Sequence, residues 1–547
     1  MDIACCLFYS VFDIRDSLFY KKETLLNFDI KIFNRWSLSE VLLITGVSVA
    51  LLWSVYFAFV AIFVPYQIEY HEGTALAQTW LFLRRQNPFV LENQPFGMNN
   101  YGMGYSLVVL PFAAIFGNTL LVHRSVTFGF IAFSALAGYF IVYRARRDKL
   151  FAMVCAAFIM VGLITGDGIG AVPAAMGVFL FLAAVLIPSV WSFDRNSLIL
   201  SALVSFGAFY TKPYFVLSFG IVVSYLFFFV SKKKSLLYGS FYAAGFMAFL
   251  LIVKSVFPTY FINTIIGNIF NSNNSLDHLF YQLRELFISF LPILFILFGV
   301  IQTDSFREPY LESDHSKNLF VLNIYEWNKP FLKYSLNYLF YSFAFSFMSF
   351  VFILGRHKGN NMYYSYQLIL PLFFCWFFGY VAHRNRMRLF LVLIVLINLF
   401  AWEGKLLSPN ILKQDSSKEW AELFDYMRSS KRILNAPTVV SEVIALGLTP
   451  LDSGQTIFFY NVRPYPDNIL SNISYQQIRT DGFIFEKSIN RQIEKQKFDL
   501  IITIKDKFSF FDYDLVNQYY SQISEITVQM PYTGIQWTML VWKPKPQ

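Results

Sequence analysis

This sequence predicts an all-α polytopic membrane protein, with about eleven membrane-spanning helices and a small C-terminal α/β domain outside the membrane. Three observations carry that prediction. Of 547 residues 56% are hydrophobic and only 14% charged, a balance far from that of ordinary soluble proteins. Apolar runs recur from Ser39 to Trp402, with Lys and Arg gathered in short clusters between them. From Glu403 onward the apolar runs shorten to strand length and alternate with helical stretches.

Taken in order, residues 1–37 form a cytoplasmic N-terminal segment. Arg15, Lys21, Lys22, Lys31 and Arg35 precede the first span, Ser39 to Pro65, and basic residues favour the cytoplasmic side. Glu69 then lies outside, in a long outer loop, 66–118. Within it Tyr105 to Phe116 is too short to span and reads as an interfacial or re-entrant helix. That choice sets the parity of every later span. Thr119 to Tyr143 returns to the cytoplasmic cluster Arg144, Arg146, Arg147 and Lys149. Phe151 to Thr165 delivers Asp167 outside, and Gly170 to Pro188 goes in. Leu198 to Thr211 exits at Lys212, and Phe215 to Val230 ends at Lys232, Lys233 and Lys234. Leu236 to Phe257 goes out, Glu285 to Ile301 in, and Tyr334 to Leu354 out. Ser365 to Ala382 comes in to Arg384, Arg386 and Arg388, and Leu389 to Trp402 exits last. Only Arg356, His357 and Lys358 depart from the charge rule, remaining outside.

The external domain, 403–547, shows β-rich runs at Thr438 to Ser441, Thr456 to Tyr460, Leu500 to Ile504, Ile526 to Gln529 and Thr538 to Trp542. Helical stretches at Lys418 to Arg428 and Glu486 to Lys495 separate them, which is the alternation of an α/β fold. The net charge of +9 does not indicate nucleic acid, because the basic residues sit where membrane anchoring needs them. Cys155 and Cys375 lie in apolar segments and Cys5 and Cys6 precede the first span, so no disulfide or zinc site is expected. Residues 1–37 carry acids and bases throughout and show no cleavage site, so no signal peptide is expected.

The outer loop holds the sharpest chemical feature, Glu69 and Glu72 flanking His71 in EYHEG. Three apart on a helix start, the acids would share a face and raise one pKa by repulsion. Such a carboxylate can take a proton from a hydroxyl or hold a cation; equally, the pair can cap an interfacial helix. Lys212, Arg124, His123, Arg356 and Lys358 all reach the outer face, where they suit a phosphate or snorkel to headgroups. Asp167 in TGDGIG is a helix cap or a further acid of the site. Trp80, Tyr101 and Tyr105 are of the type that stacks on sugar faces.

The order of these features resembles the GT-C superfamily of polyprenyl-phosphate-sugar-dependent glycosyltransferases, in the branch of the protein O-mannosyltransferases and the lipid A aminoarabinose transferase. The likeness rests on EYHEG after a first span, then NPFVLENQPF and YGMGYSLVVLPFAAIFG. Arg124 opens the next span and a basic cluster ends it, followed by TKPYF, YYSYQLILPLF and an external C-terminal domain. Motif-level similarity covers 66–147, and layout alone extends over 38–400. Relatives usually carry Asp-Glu where this chain has His71-Glu72, which leaves open whether Glu69 or Glu72 is the base.

The resemblance implies an inverting hexosyl or pentosyl transfer at the outer face of a multi-pass bacterial inner membrane. The donor would be a polyprenyl-phosphate sugar with its phosphate against Lys212, Arg124, Arg356, Lys358 and His123. A loop glutamate would activate a hydroxyl of a glycan, lipid or protein acceptor. His71, Trp80, Tyr101, Tyr105 and Asp167 would line the substrate. No cofactor is implied, or a divalent cation on Glu69, Glu72 and Asp167. A polysaccharide polymerase or ligase would instead place its largest loop late in the chain, and a transporter would carry charges at mid-span. For topology, a cysteine introduced near Gln547, with the four native cysteines removed, should react with an impermeant thiol reagent in intact cells. Reaction only after permeabilisation would place the C-terminal domain in the cytoplasm.

Overall fold

In hydrocarbon every backbone N–H and C=O must find a partner within its own segment, so long apolar runs become helices. The computed structural model describes residues 38–69, 71–93, 99–166, 169–266, 273–284, 331–354, 356–357, 363–381, 416–453, 485–505, 511–529 and 536–546. Its apolar helices are α1 (Leu38–Phe63), α3 (Gly104–Phe116), α4 (Leu120–Arg146), α5 (Lys149–Gly166), α6 (Ala174–Val190) and α7 (Arg195–Phe209), with α2 (His71–Leu83) between α1 and α3. After these come α8 (Leu217–Tyr225), α9 (Lys232–Val256), α10 (Phe331–Leu354), α11 (Tyr363–Leu368) and α12 (Leu370–Val381).

Among the described residues, Val41–Phe63, Leu120–Ala145, Pro213–Val230 and Lys232–Val256 are each long and apolar enough to cross a membrane. The chain is an integral membrane protein. Ile131, Phe158, Phe181, Val185, Phe374 and Phe378 belong to one buried core shared by α4, α5, α6 and α12. Outward, Leu52, Ile115 and Leu236 are about 70% exposed, as lipid-facing side chains should be. α3 has 13 residues with Pro111 inside, about 20 Å of helix at 1.5 Å per residue. It is too short to span a bilayer upright.

Two expected spans differ from the sequence reading. The run from Gly170 becomes helical only at Ala174, because 169–173 turns first, with the Val172 N–H bonded to the Gly170 carbonyl at 2.7 Å. Ser365 to Ala382 breaks after Leu368, where Pro371 supplies no N–H to the Gln367 carbonyl. Residues 1–37, the spans Glu285 to Ile301 and Leu389 to Trp402, and the run Thr456 to Tyr460 lie outside the described residues.

The C-terminal unit is a four-stranded mixed sheet of β1 (Ile433–Leu434), β2 (Leu500–Ile504), β3 (Tyr520–Gln529) and β4 (Gln536–Pro544) in the order β1-β2-β4-β3. β1 pairs parallel to β2, and the other pairings are antiparallel. β2 is buried on both faces, as an apolar central strand with helices on either side requires. Leu500, Ile502 and Ile504 meet α13 (Ser417–Arg428) through Trp420, Leu423 and Met427. Ile501 faces Ile489, Ile493 and Phe498 on the other side. Thr438 to Ser441, expected as a strand, is instead a 3-10 turn, Pro437–Val439, running into α14 (Val440–Ala445). Pro437 fixes φ and lacks a ladder donor at its first position, which outweighs the β-branched residues that follow.

This unit is seated on the membrane unit. The Tyr66 ring leaves the end of α1, enters the sheet's core and stacks on Trp420, with centroids 4.8 Å apart and planes at 11°. α2 packs on α14 through Leu76, Ala77 and Trp80 against Val440 and Ile444.

Candidate active site

Where α1 ends lies an ion pair between Arg124, near the start of α4, and Glu72, in the first turn of α2. Both side chains are fully buried. All five guanidinium donors are used. Nε and Nη2 reach Glu72 Oε1 and Oε2 at 2.7 and 2.8 Å, while Nη1 and Nη2 take the carbonyls of Ala61, Val64 and Tyr66 at 2.7 to 2.8 Å. Arg124 therefore caps the C-terminal end of α1, where a cation complements the free carbonyls. Glu72 is equally occupied: beyond Arg124, Oε2 accepts the Ile68 N–H and Oε1 the Ala171 N–H, both at 2.7 Å.

Glu69 is different. It precedes α2, so the two acids do not share a helix face as their spacing suggested. Its side chain is half-buried, with Oε1 bonded to His71 Nδ1. Burial pushes the Glu69 carboxyl up, but His71 and the Lys212 ammonium outweigh that and hold it below the usual carboxylate range. Repulsion from Glu72, expected to raise it, is cancelled by Arg124. Both acids line Gly170, whose missing Cβ would lie 3.6 Å from Glu72 Oε1 and 3.8 Å from Glu69 Oε2.

Lys212 comes from the junction after α7 and is almost fully buried. Residues 99–104 bring the outer loop to it. The N–H groups of Gly102 and Gly104 bond to the carbonyls of Thr211 and Tyr210 at 3.0 and 2.9 Å. A Cβ on Gly102 would lie 1.9 Å from the Tyr210 oxygen, so only glycine allows this approach. Asn99 and Ser106 fasten the same loop to Gln78 of α2 at 3.0 and 2.6 Å. Tyr101 is thereby set between His71, with ring centroids 5.6 Å apart, and the Lys212 ammonium, 4.8 Å from its own centroid. Tyr214 lies 5.8 Å from the same ammonium and donates its hydroxyl to Gln367 of α11. Its ring meets Tyr364 edge-on at 4.9 Å. Glu69, His71, Tyr101, Lys212, Tyr214 and Gln367 thus form one polar, aromatic cluster.

Other expected site residues are used elsewhere. Trp80 is buried against α14 and covered by the Arg84 guanidinium at 3.9 Å, so it presents no face to a sugar. Tyr105 is buried with its hydroxyl on the His123 carbonyl and Thr127. His123 is buried and bonded through Nε2 to Asn118 at 2.9 Å; it is not on the outer surface where a phosphate would meet it. Arg124 has no donor left for a phosphate. Arg356 pairs through its backbone with Asn274, and its side chain, Lys358 and Asp167 lie outside the described residues. Among the described residues no three His, Cys, Asp or Glu side chains group as metal ligands. Tyr214, Gln367 and Gly170 were not singled out from sequence, although TKPYF and YYSYQ contain the first two.

The saturated pair makes a distinct stability prediction. All four partners of the Glu72 carboxylate are donors, so Glu72→Gln sets an amide N–H₂ against N–H groups and leaves Arg124 uncompensated. Losing one side of a buried pair costs about 3–5 kcal/mol. Thermal unfolding in detergent should show that loss for Glu72→Gln and little change for Glu69→Gln. Equal stability of the two variants would contradict this assignment.

No family model and no curated protein matches this sequence. Among solved structures the fold is similar to that of ArnT from Cupriavidus metallidurans. The crystal structure bound to undecaprenyl phosphate aligns over 91% of this chain and 99% of that one, at 13% identity and a TM-score of 0.49. The apo crystal structure aligns over the same shares at 12% identity and a TM-score of 0.44. The likeness is one of fold.

Proposed function

We propose that the chain is a membrane glycosyltransferase that moves a sugar from a polyprenyl-phosphate donor to an acceptor hydroxyl at its outer face, with inversion. The single observation that carries this reading is that Glu69, before α2, and Lys212, after α7, lie near enough for the ammonium to favour the ionised carboxylate. A half-buried carboxylate whose ionised form is favoured by a buried ammonium provides both a base and a phosphate counter-charge.

The reaction balances with these groups. Glu69 takes the proton of the acceptor hydroxyl, whose oxygen forms the new bond to the anomeric carbon. The bond from that carbon to the phosphate oxygen breaks, and its electron pair leaves on the phosphate. Lys212 stabilises that charge, so the leaving group needs no proton. His71 holds Glu69 in place, and Tyr101 and Tyr214 wall the sugar. The depressed pKa keeps Glu69 ionised at neutral pH, at the expense of some intrinsic basicity. Glu69 and His71 would be the residues to hold a divalent cation, which would supply further counter-charge to the donor phosphate. Arg356 and Lys358 are further phosphate ligands on this reading. The external placement of the site and of the domain 403–547 belongs to the same proposal.

Glu69→Gln should lower sugar transfer roughly 10²- to 10⁴-fold while binding of undecaprenyl phosphate is kept. Lys212→Ala should weaken that binding by about 2–5 kcal/mol. Near-parental transfer by Glu69→Gln would remove the base, and unchanged binding by Lys212→Ala would remove the phosphate site.

The pH profile tests Glu69 as proton acceptor. Because the folded pKa of Glu69 lies below its ordinary 4.5, activity should persist as the pH falls and be lost only below that value. Removing the Lys212 charge should move the acid limb upward. A limb well above the ordinary carboxylate range would take the role of base away from Glu69.

A further inference from the structure

The segment 66–69, which ends in the proposed base, is held from two sides. On the membrane side, Arg124 bonds the Tyr66 carbonyl and Glu72 bonds the Ile68 N–H. On the other side, every hold comes from the C-terminal unit. Gln67 is fully buried; its Nε2 donates to the Pro437 carbonyl at 3.1 Å and its Oε1 accepts the Ser441 N–H at 3.0 Å. Both partners flank the first turn of α14. The same amide reaches back to the Glu69 carbonyl at 3.5 Å. That carbonyl also accepts the Glu72 N–H at 3.2 Å.

Around Gln67 the two units approach closely. A Cβ on Gly73 would lie 2.9 Å from Val440 Cβ and 3.0 Å from the Pro437 oxygen, so the turn before α14 rests on the backbone of α2. Thr74 donates to the Ser453 carbonyl at 2.6 Å, and Tyr66 stacks on Trp420. A loose tether between units would be expected to have fewer and wetter contacts. This seam is instead close-packed and hydrogen-bonded two residues from Glu69.

From this we infer that the C-terminal unit is a positioning element of the active site, acting through Gln67, which orients Glu69 against His71 and Lys212. The inference rests on Glu69 being the base. A near-attack geometry is sensitive to displacements on the order of 1 Å, and Gln67 is the side chain that fixes the Glu69 backbone to the sheet unit. Gln67 touches no reacting atom, so its effect should fall on turnover and not on donor capture by Lys212.

The test uses full-length protein and three variants, Gln67→Met, Gln67→Glu and Glu69→Gln, with the Gln67→Met/Glu69→Gln double variant. Gln67→Met keeps the volume and removes both hydrogen bonds. Its kcat should drop roughly tenfold or more, while KM for the donor and undecaprenyl phosphate binding stay within about twofold of the parent. Gln67→Glu keeps the acceptor for Ser441 but sets a buried carboxylate oxygen against the Pro437 carbonyl, so its kcat should fall at least as far as that of Gln67→Met. In the Glu69→Gln background, Gln67→Met should cost nothing further, because the group it positions is gone. An unchanged kcat, a loss carried by KM, or full additivity in the double variant would overturn the inference while leaving Glu69 as base. If Glu69→Gln itself transfers sugar normally, the reading of the site fails first, and this inference with it.

Discussion

The end of the membrane unit that carries the C-terminal unit depends on one buried ion pair. Placing Arg124 and Glu72 at zero exposure is costly in a protein whose surroundings are mostly hydrocarbon, and it is tolerated only when every donor and acceptor is matched. Here twelve groups meet: five guanidinium donors and two backbone N–H donors, received by the two carboxylate oxygens and three backbone carbonyls. The backbone partners come from the end of α1, the segment before α2 and the turn before α6. Three stretches far apart in the sequence, 61–72, Arg124 and Ala171, thus converge on a single charge pair. Moving any one of them breaks bonds belonging to the others.

That pair also explains why two neighbouring glutamates have different characters. Glu72 has no lone pair to spare and no access to a substrate, so it acts as a strut. By neutralising Glu72 locally, Arg124 removes the repulsion that would otherwise push Glu69 up. What remains around Glu69 is His71 and Lys212, and both favour its ionised form. The chemistry open to one acid follows from the structural use of the other.

The sequence made some of this legible and hid the rest for physical reasons. Apolar run length predicted the helices α1, α4, α9 and α10 closely, because backbone satisfaction in lipid leaves few alternatives. α3, with 13 residues, is as short as its apolar run. Helix starts were harder to place: Pro173 and the turn 169–173 delay α6, and the reason is a bond from Ala171 to an acid far away in the chain. Glu69, His71, Tyr101 and Lys212 were identifiable as residue types in suspicious places. Their division from Glu72, Arg124, His123, Trp80 and Tyr105 was not, since polarity near a membrane face looks alike whether a group serves packing or substrate. Gln67 offered no signal beyond being a polar residue among aromatics in YQIEY.

The glycines of YGMG extend the same logic to the aromatic wall. Gly102 and Gly104 donate backbone hydrogen bonds to the Thr211 and Tyr210 carbonyls, and at Gly102 the approach is too close for any side chain. The loop is therefore pinned by its backbone, leaving the Tyr101 ring to lie between His71 and Lys212. Gln78, buried in the middle of α2, accepts from both Asn99 and Ser106 and so ties this loop to the helix that Glu72 anchors. α2 in turn carries the C-terminal unit on its opposite side. The acid segment, the aromatic loop and the sheet unit consequently share one short helix as their common support, and that helix is fixed to the membrane unit through Glu72. A carboxylate and a cation brought together from distant parts of the chain can hold a fixed geometry only because their separate supports lead back to this one charge pair.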